Sequence, residues 1–288
     1  MGSTQPNPAD ATTRDAKPKP AIPKGKKEVK ILMLHGYTQS GTLFSAKTKG
    51  LLKLLIKALS PANLHPTLIF PSGPHKLRPS DIPGYVPPDE PSELDEDELD
   101  NWSWFRKDEA SGQYRGLDAG MEVIASTISD AGGIDGVMGF SQGGCMAALL
   151  ASALEPSHNP PPSTNPPPSL PSPSSTQEGW EWLPAVRKAN DNKPLKFAVC
   201  YSAFYAPPEN LQWLYEGKIQ TPTLHFLGGL DTVVEEGRSM RLVEMCKDPV
   251  VITHPGGHYV PVARDWVMPL VAWLRDRVVE KEKEKENL

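Results

Sequence analysis

The strongest chemical signal in the chain is the pentapeptide Gly139-Phe140-Ser141-Gln142-Gly143. It has the pattern G-x-S-x-G and sits between two unlike segments. Ile134 to Phe140 (IDGVMGF) reads as a short buried strand, and Gly144 to Leu154 (GCMAALLASAL) reads as a helix of small residues. A serine on a sharp strand-to-helix turn needs small neighbours if its hydroxyl is to stand clear at the end of a sheet. The chemistry this prepares is nucleophilic attack on an acyl carbon. The bland alternative is a glycine-rich loop at a strand end.

A serine hydroxyl is a weak nucleophile at neutral pH, so it needs a base, an acid to orient that base, and donors for the oxyanion. Pro222 to Gly228 (PTLHFLG) reads as a strand that leads into Asp231. Pro249 to Thr253 (PVVIT) reads as the last strand and leads into His254-Pro255-Gly256-Gly257-His258. Positions just past strand carboxyl ends are where open α/β sheets place their sites. Ser141, Asp231 and His258 are therefore the expected nucleophile, acid and base. Asp231 also fits a plain turn residue, and His254 is a rival base. His258 is preferred because Gly256 and Gly257 give its imidazole a flexible approach to the elbow. His225 reads as a core histidine, His158 as a solvated residue of a Pro/Ser-rich insert, and His35 as a structural brace. Upstream, Val29 to Leu34 (VKILML) reads as a strand ending in His35-Gly36-Tyr37. The backbone N–H groups of Tyr37 and Gln142 are the expected oxyanion donors.

These residues require a scaffold, and the rest of the chain supplies one. Ser45 to Leu59 reads as a helix, with Leu51, Leu55 and Leu59 on one face beside Leu52 and Ile56. Pro66 to Pro71 and Leu195 to Phe204 read as strands; Asp118 to Asp130 and Pro261 to Val279 read as helices. Strands and helices thus follow one another along the chain.

Several motifs together resemble the fungal family of serine hydrolases, the FSH domain. They are Leu32 to Gly50 (LMLHGYTQSGTLFSAKTKG), Gly139 to Gly143, Gly229-Leu230-Asp231, His254 to Pro261 (HPGGHYVP), and the middle segment Trp102 to Met121. The resemblance runs from about Lys30 to Leu274. It implies an α/β-hydrolase fold, with a central, mostly parallel sheet flanked by helices on both faces, esterase-like activity, and a triad at Ser141, Asp231 and His258. Acyl-protein thioesterases share G-F-S-Q-G-G, so the elbow alone does not separate the two families. The expected function is cleavage of carboxylic esters or thioesters through an acyl-enzyme. An acyl-protein or carrier-bound acyl thioesterase is one alternative, with an acyl-carrier domain as its partner. A non-catalytic adaptor recruiting partners through the Pro-rich insert is another. Neither a metal nor an organic cofactor is expected. Trp102, Trp104 and Phe105 follow the acidic run Pro87 to Asp100 and are expected to line an apolar substrate pocket, with loop anchoring as the plainer role.

The composition agrees with one enzyme domain. The chain has 288 residues and 32 prolines, and only 38% of it is hydrophobic. The prolines cluster, so the apolar deficit belongs to local segments: 1–28 as a disordered tail, 155–175 as a disordered insert within the domain 29–279, and 280–288 as a charged end. A net charge of −5 gives no electrostatic case for nucleic-acid binding. No apolar stretch reaches the length of a membrane span, and the first residues lack the apolar core of a secretory signal. The three cysteines, Cys145, Cys200 and Cys246, have no metal-like spacing and are expected as free thiols. The expected compartment is the cytoplasm, with the nucleus as a second location because of the small basic cluster Lys24, Lys26 and Lys27.

Overall fold

The computed structural model describes residues 22–82, 99–161 and 180–286. In chain order these form β1 (Lys27–Leu34), α1 (Gly41–Lys47), α2 (Lys49–Leu59) and β2 (Leu64–Ile69), then four two-residue strands, β3 (His75–Lys76), β4 (Trp102–Ser103), β5 (Arg106–Lys107) and β6 (Tyr114–Arg115). There follow α3 (Leu117–Ala131), β7 (Gly136–Phe140), α4 (Gln142–Ala153), α5 (Trp182–Ala189), β8 (Phe197–Tyr201), β9 (Thr223–Gly228), α6 (Glu236–Glu244), β10 (Val250–His254) and α7 (Arg264–Glu286).

One sheet organises the rest. Its order is β10-β9-β8-β7-β1-β2, and every pairing in it is parallel. Parallel sheets are covered on both faces, and the central strands show why. In β1, Val29, Ile31 and Met33 pack with Leu51, Leu55 and Leu59 of α2 and with Val267, Leu270 and Leu274 of α7. The alternate residues Leu32 and Leu34 belong to the opposite core, with Met121, Ile124 and Ile128 of α3 and the small residues of α4. The two-residue side-chain period thus divides one strand between two cores.

The chain leaves β1 for β2 on one flank and re-enters at β7 on the other. That reversal opens a crevice outside the carboxyl ends of β1 and β7, where Tyr37 and Ser141 lie. Several boundaries differ from the sequence reading. The first helix is two, because the Thr48 hydroxyl donates to the Phe44 carbonyl at 2.7 Å and the axis restarts at Lys49. Helix α5 was not foreseen.

The expected start of the insert needs correction. Glu155 and His158 are buried, not solvated. Glu155 accepts from the Thr221 amide at 2.6 Å and the Gln220 amide at 3.0 Å, and His158 Nδ1 lies 2.9 Å from its Oε2. Arg187 of α5 donates to the carbonyls of Ala153, Glu155 and His158. A buried carboxylate is tolerable only when paired and hydrogen-bonded, and this one is. Residues 162–175 of the expected insert, like 1–21 and 83–98, lie outside the described residues.

Cys145, Cys200 and Cys246 are free, buried thiols. Burial pushes Cys145 up to about 12 and Cys246 up to about 11. His225 is in the core of β9, 1% exposed, and its Nε2 has no hydrogen-bond partner among the described residues. Burial lowers it to about 4. Between about 4 and the ordinary 6.5, the unfolded chain takes up a proton that the folded chain refuses. This contribution to stability is complete above pH 6.5 and is lost as the pH falls toward 4. Urea unfolding is expected to show a loss of about 2 kcal/mol from this group between about pH 7 and about pH 5. A His225→Leu variant measured at both pH values should show a correspondingly smaller drop; an equal drop would refute the assignment.

Candidate active site

Ser141 occupies the turn between β7 and α4 with φ 54° and ψ −117°. Its amide donates to Tyr201 at the end of β8 at 2.8 Å, and its carbonyl accepts from Gly144 and Cys145 in the first turn of α4. The neighbouring glycines are required by close approach. A β-carbon on Gly139 would lie 2.0 Å from the Gly143 carbonyl oxygen, and one on Gly143 would lie 2.2 Å from that of Leu34.

The three residues separated along the chain meet here. His258 Nε2 lies 3.0 Å from Ser141 Oγ, and His258 Nδ1 lies 2.8 Å from Asp231 Oδ2. An ionised carboxylate only accepts, so Nδ1 carries the proton and Nε2 presents its lone pair to the serine hydroxyl. The other oxygen of Asp231 accepts from the amides of Val233 and Val234, each at 2.9 Å. Asp231 is thus a turn residue and the imidazole's partner at once. Burial works to raise its pKa, but the Val234 amide, His258 and the Val233 amide outweigh it and hold the carboxyl below its ordinary range. Phe140 sets its ring 4.8 Å from that of His258.

The rival His254 does not reach the serine. It is 1% exposed, accepts from the Gly256 amide at 3.2 Å, and packs against Tyr259 and Trp266. His35 is a brace, as expected. The Gly73 amide donates to its Nε2 at 2.9 Å, which puts the ring proton on Nδ1, 2.8 Å from the Gly36 carbonyl oxygen. Burial lowers it to about 4, so it stays neutral. The backbone N–H groups of Tyr37 and Gln142 have no partner among the described residues. The loop carrying Tyr37 is pinned by Thr38 donating to the Trp102 carbonyl at 3.0 Å and by Trp102 donating back to Gln39 at 3.1 Å.

The aromatic segment departs from expectation. Trp104 has no exposed surface and Phe105 is 2% exposed, so neither lines an open pocket. Their place is fixed by polar contacts invisible in the sequence. Trp104 Nε1 donates to the His35 carbonyl at 2.9 Å and its ring lies 4.9 Å from the His35 ring. The Gln142 side chain accepts from the Trp104 amide and donates to the Phe105 carbonyl, both at 2.8 Å. Trp102 remains half-buried, with Nε1 donating to Asp100 at 2.8 Å. Sequence reasoning assigned Gln142 only a backbone role and missed this clamp. Among the described residues, no group of three or more His, Cys, Asp or Glu is placed to hold a metal ion, and no helix is long and apolar enough to cross a membrane.

A parallel sheet with this elbow and this order of side chains defines an α/β hydrolase. The fold is shared with acyl-protein thioesterase 2 of Zea mays, at a TM-score of 0.52 and 19% identity, covering 89% of this chain and 96% of that one. Residues 25–270 match the family described as Serine hydrolase (FSH1), and the chain belongs to that family. It is 32% identical over 247 residues to a dihydrofolate reductase of Schizosaccharomyces pombe, covering 82% of this chain but only 44% of the length of that protein. It is 29% identical to an esterase of Anopheles gambiae, covering 91% of this chain and 83% of the other. The protein is a serine hydrolase of the ester-hydrolysing type.

The Gln142 clamp has a measurable consequence. Gln142→Glu keeps the backbone amide but replaces the donor facing the Phe105 carbonyl with a carboxylate. Leaving that buried carbonyl unsatisfied should cost about 1–3 kcal/mol, read as a lowered melting temperature. A melting temperature equal to the wild type would show that the clamp carries no weight.

Proposed function

We propose that this protein hydrolyses carboxylic esters or thioesters through a Ser141-His258-Asp231 triad and an acyl-enzyme. The observation that carries the reading is the unbroken line of hydrogen bonds from Ser141 Oγ through both ring nitrogens of His258 to Asp231. His258 Nε2 takes the hydroxyl proton as Ser141 attacks the carbonyl carbon. Asp231 holds the ring in the tautomer that leaves Nε2 free and stabilises the imidazolium that forms. The amides of Tyr37 and Gln142 donate to the oxyanion, each worth about 3 kcal/mol of transition-state stabilisation. The imidazolium then protonates the leaving alcohol or thiol. Water, deprotonated by the same nitrogen, releases the acid. The likeness to an esterase of Anopheles gambiae supports the substrate type.

Turnover of a chromogenic ester with purified protein tests this. Ser141→Ala is expected to lower kcat about a million-fold, by analogy with other triad enzymes. Asp231→Asn, which favours the wrong tautomer, should cost about ten-thousand-fold. A fluorophosphonate probe should label the wild type and neither Ser141→Ala nor His258→Ala. Labelling that survives Ser141→Ala would place the nucleophile elsewhere.

A further inference from the structure

Strands β9 and β10 end together, with Gly228 and His254 as their last registered pair. Past that pair, one chain segment carries Asp231 and the other carries His258. Hydrogen bonds keep the two segments side by side: the Gly229 amide donates to the His254 carbonyl at 2.8 Å, and the Leu230 amide donates to the Gly256 carbonyl at 3.0 Å. The approach is close. A β-carbon on Gly228 would lie 2.4 Å from the Gly257 carbonyl oxygen, and one on Gly256 would lie 2.1 Å from the Tyr259 hydroxyl. The distance between Asp231 and His258 therefore depends on where Gly256 is held.

A buried imidazole with no part in the proton transfer holds it. His254 Nδ1 accepts from the Gly256 amide at 3.2 Å, which puts the ring proton on Nε2. That nitrogen has no hydrogen-bond partner among the described residues. The ring is 1% exposed and packs against Tyr259 of its own loop, 5.0 Å between centroids, and against Trp266 of α7, at 5.9 Å. A proton on Nδ1 would set two donors against each other, and the Gly256 amide would lose its acceptor. The titratable and charged groups around the ring are His258 and Tyr259 on its own loop, Asp231 on the facing one, and Arg264 and Asp265 beside Trp266, both exposed. Burial lowers the pKa of His254, and the Asp231 charge works against that.

We propose that His254 is a positioning residue for the reaction at Ser141: its neutral ring fixes Gly256, and through Gly256 the loop that carries His258. Turnover then needs two unprotonated imidazoles, His258 to take the serine proton and His254 to keep His258 in line. This inference rests on the proposed triad and adds to it a residue that touches no reacting atom. Its signature is in the acid limb of the pH profile. His258 supplies one ionisation there, because only a neutral ring can act as base. His254 supplies a second, below the ordinary 6.5 because its burial lowers it. Asp231 supplies none in that range, since its carboxyl is held below its ordinary value.

The test is the pH dependence of kcat/KM for a neutral nitrophenyl ester. It is measured on the full chain for the wild type, His254→Asn and His254→Phe, with circular dichroism at each pH to confirm the fold. In the wild type the acid-side slope of log kcat/KM against pH is expected to steepen from about one to about two. Asparagine places an acceptor oxygen where Nδ1 sits and does not titrate, so the slope of His254→Asn should stay at about one. His254→Phe removes the acceptor and should lower kcat at neutral pH about a hundred-fold, the size expected of an ångström-scale misplacement, with little change in KM. His254→Asn should recover most of that loss. A wild-type slope that never exceeds about one, or a His254→Asn slope as steep as the wild type's, would overturn the assignment. So would a His254→Phe kcat equal to the wild type's, or a His254→Asn no better than His254→Phe. If His254→Phe does not fold, the slopes of the wild type and His254→Asn decide. Ser141→Ala, run on the same ester, separates this result from failure of the triad reading: retained turnover there would sink the triad whatever His254 does.

Discussion

The turn at Ser141 is the constraint on which the site depends. Its backbone, at φ 54° and ψ −117°, lies where a side chain is strained, at a cost of about 1–3 kcal/mol. The strain persists because its surroundings leave no other path. The amide is tied to β8, the carbonyl begins α4, and the glycines at 139 and 143 let three backbone segments touch where any side chain would collide. One result of this geometry is a serine Oγ at hydrogen-bond distance from an imidazole on another loop. A second is a helix whose first amides open toward the same point.

Around that turn lies a buried polar seam. Gln142 reaches from α4 to the backbone of residues 104 and 105, Trp104 reaches from there to the His35 carbonyl, and His35 reaches on to Gly73. Each group in the chain has its partner, which makes a buried network stabilising and gives it one geometry. The loop carrying Tyr37 is therefore positioned from beneath by side chains that touch no substrate. Trp104 matters to the chemistry through position, and a large indole next to an active site is no evidence of a binding surface by itself.

Much of this could be read from the sequence, and the limits are physical. Ser141, Asp231 and His258 were legible because each follows an apolar run, and local pattern places strand ends well. The covered sheet was legible because runs such as Val29 to Leu34 are apolar on both faces. The fate of Trp104 was not, because it is decided by a carbonyl 69 residues away. Glu155 and His158 looked like the start of a solvated insert because their neighbours are prolines, and their partners at Gln220 and Thr221 are distant in sequence. His254 and His258 were separable only through the flexibility of two glycines. The buried position of His254, against Tyr259 and Trp266, settles where each imidazole sits.

The direction of α4 separates two kinds of change that the chain can accept. The helix begins just after Ser141, and its 12 residues, at about 1.5 Å each, carry the chain about 18 Å away before it reaches Glu155. There Arg187 and the Glu155–His158 pair lock one root of the Pro/Ser-rich segment, and Trp180, donating to the Asn210 carbonyl at 3.0 Å, fixes the other. Both roots are thus fixed by their own partners, at a distance from the turn that holds the serine, so the number of residues between them does not bear on the placing of that turn.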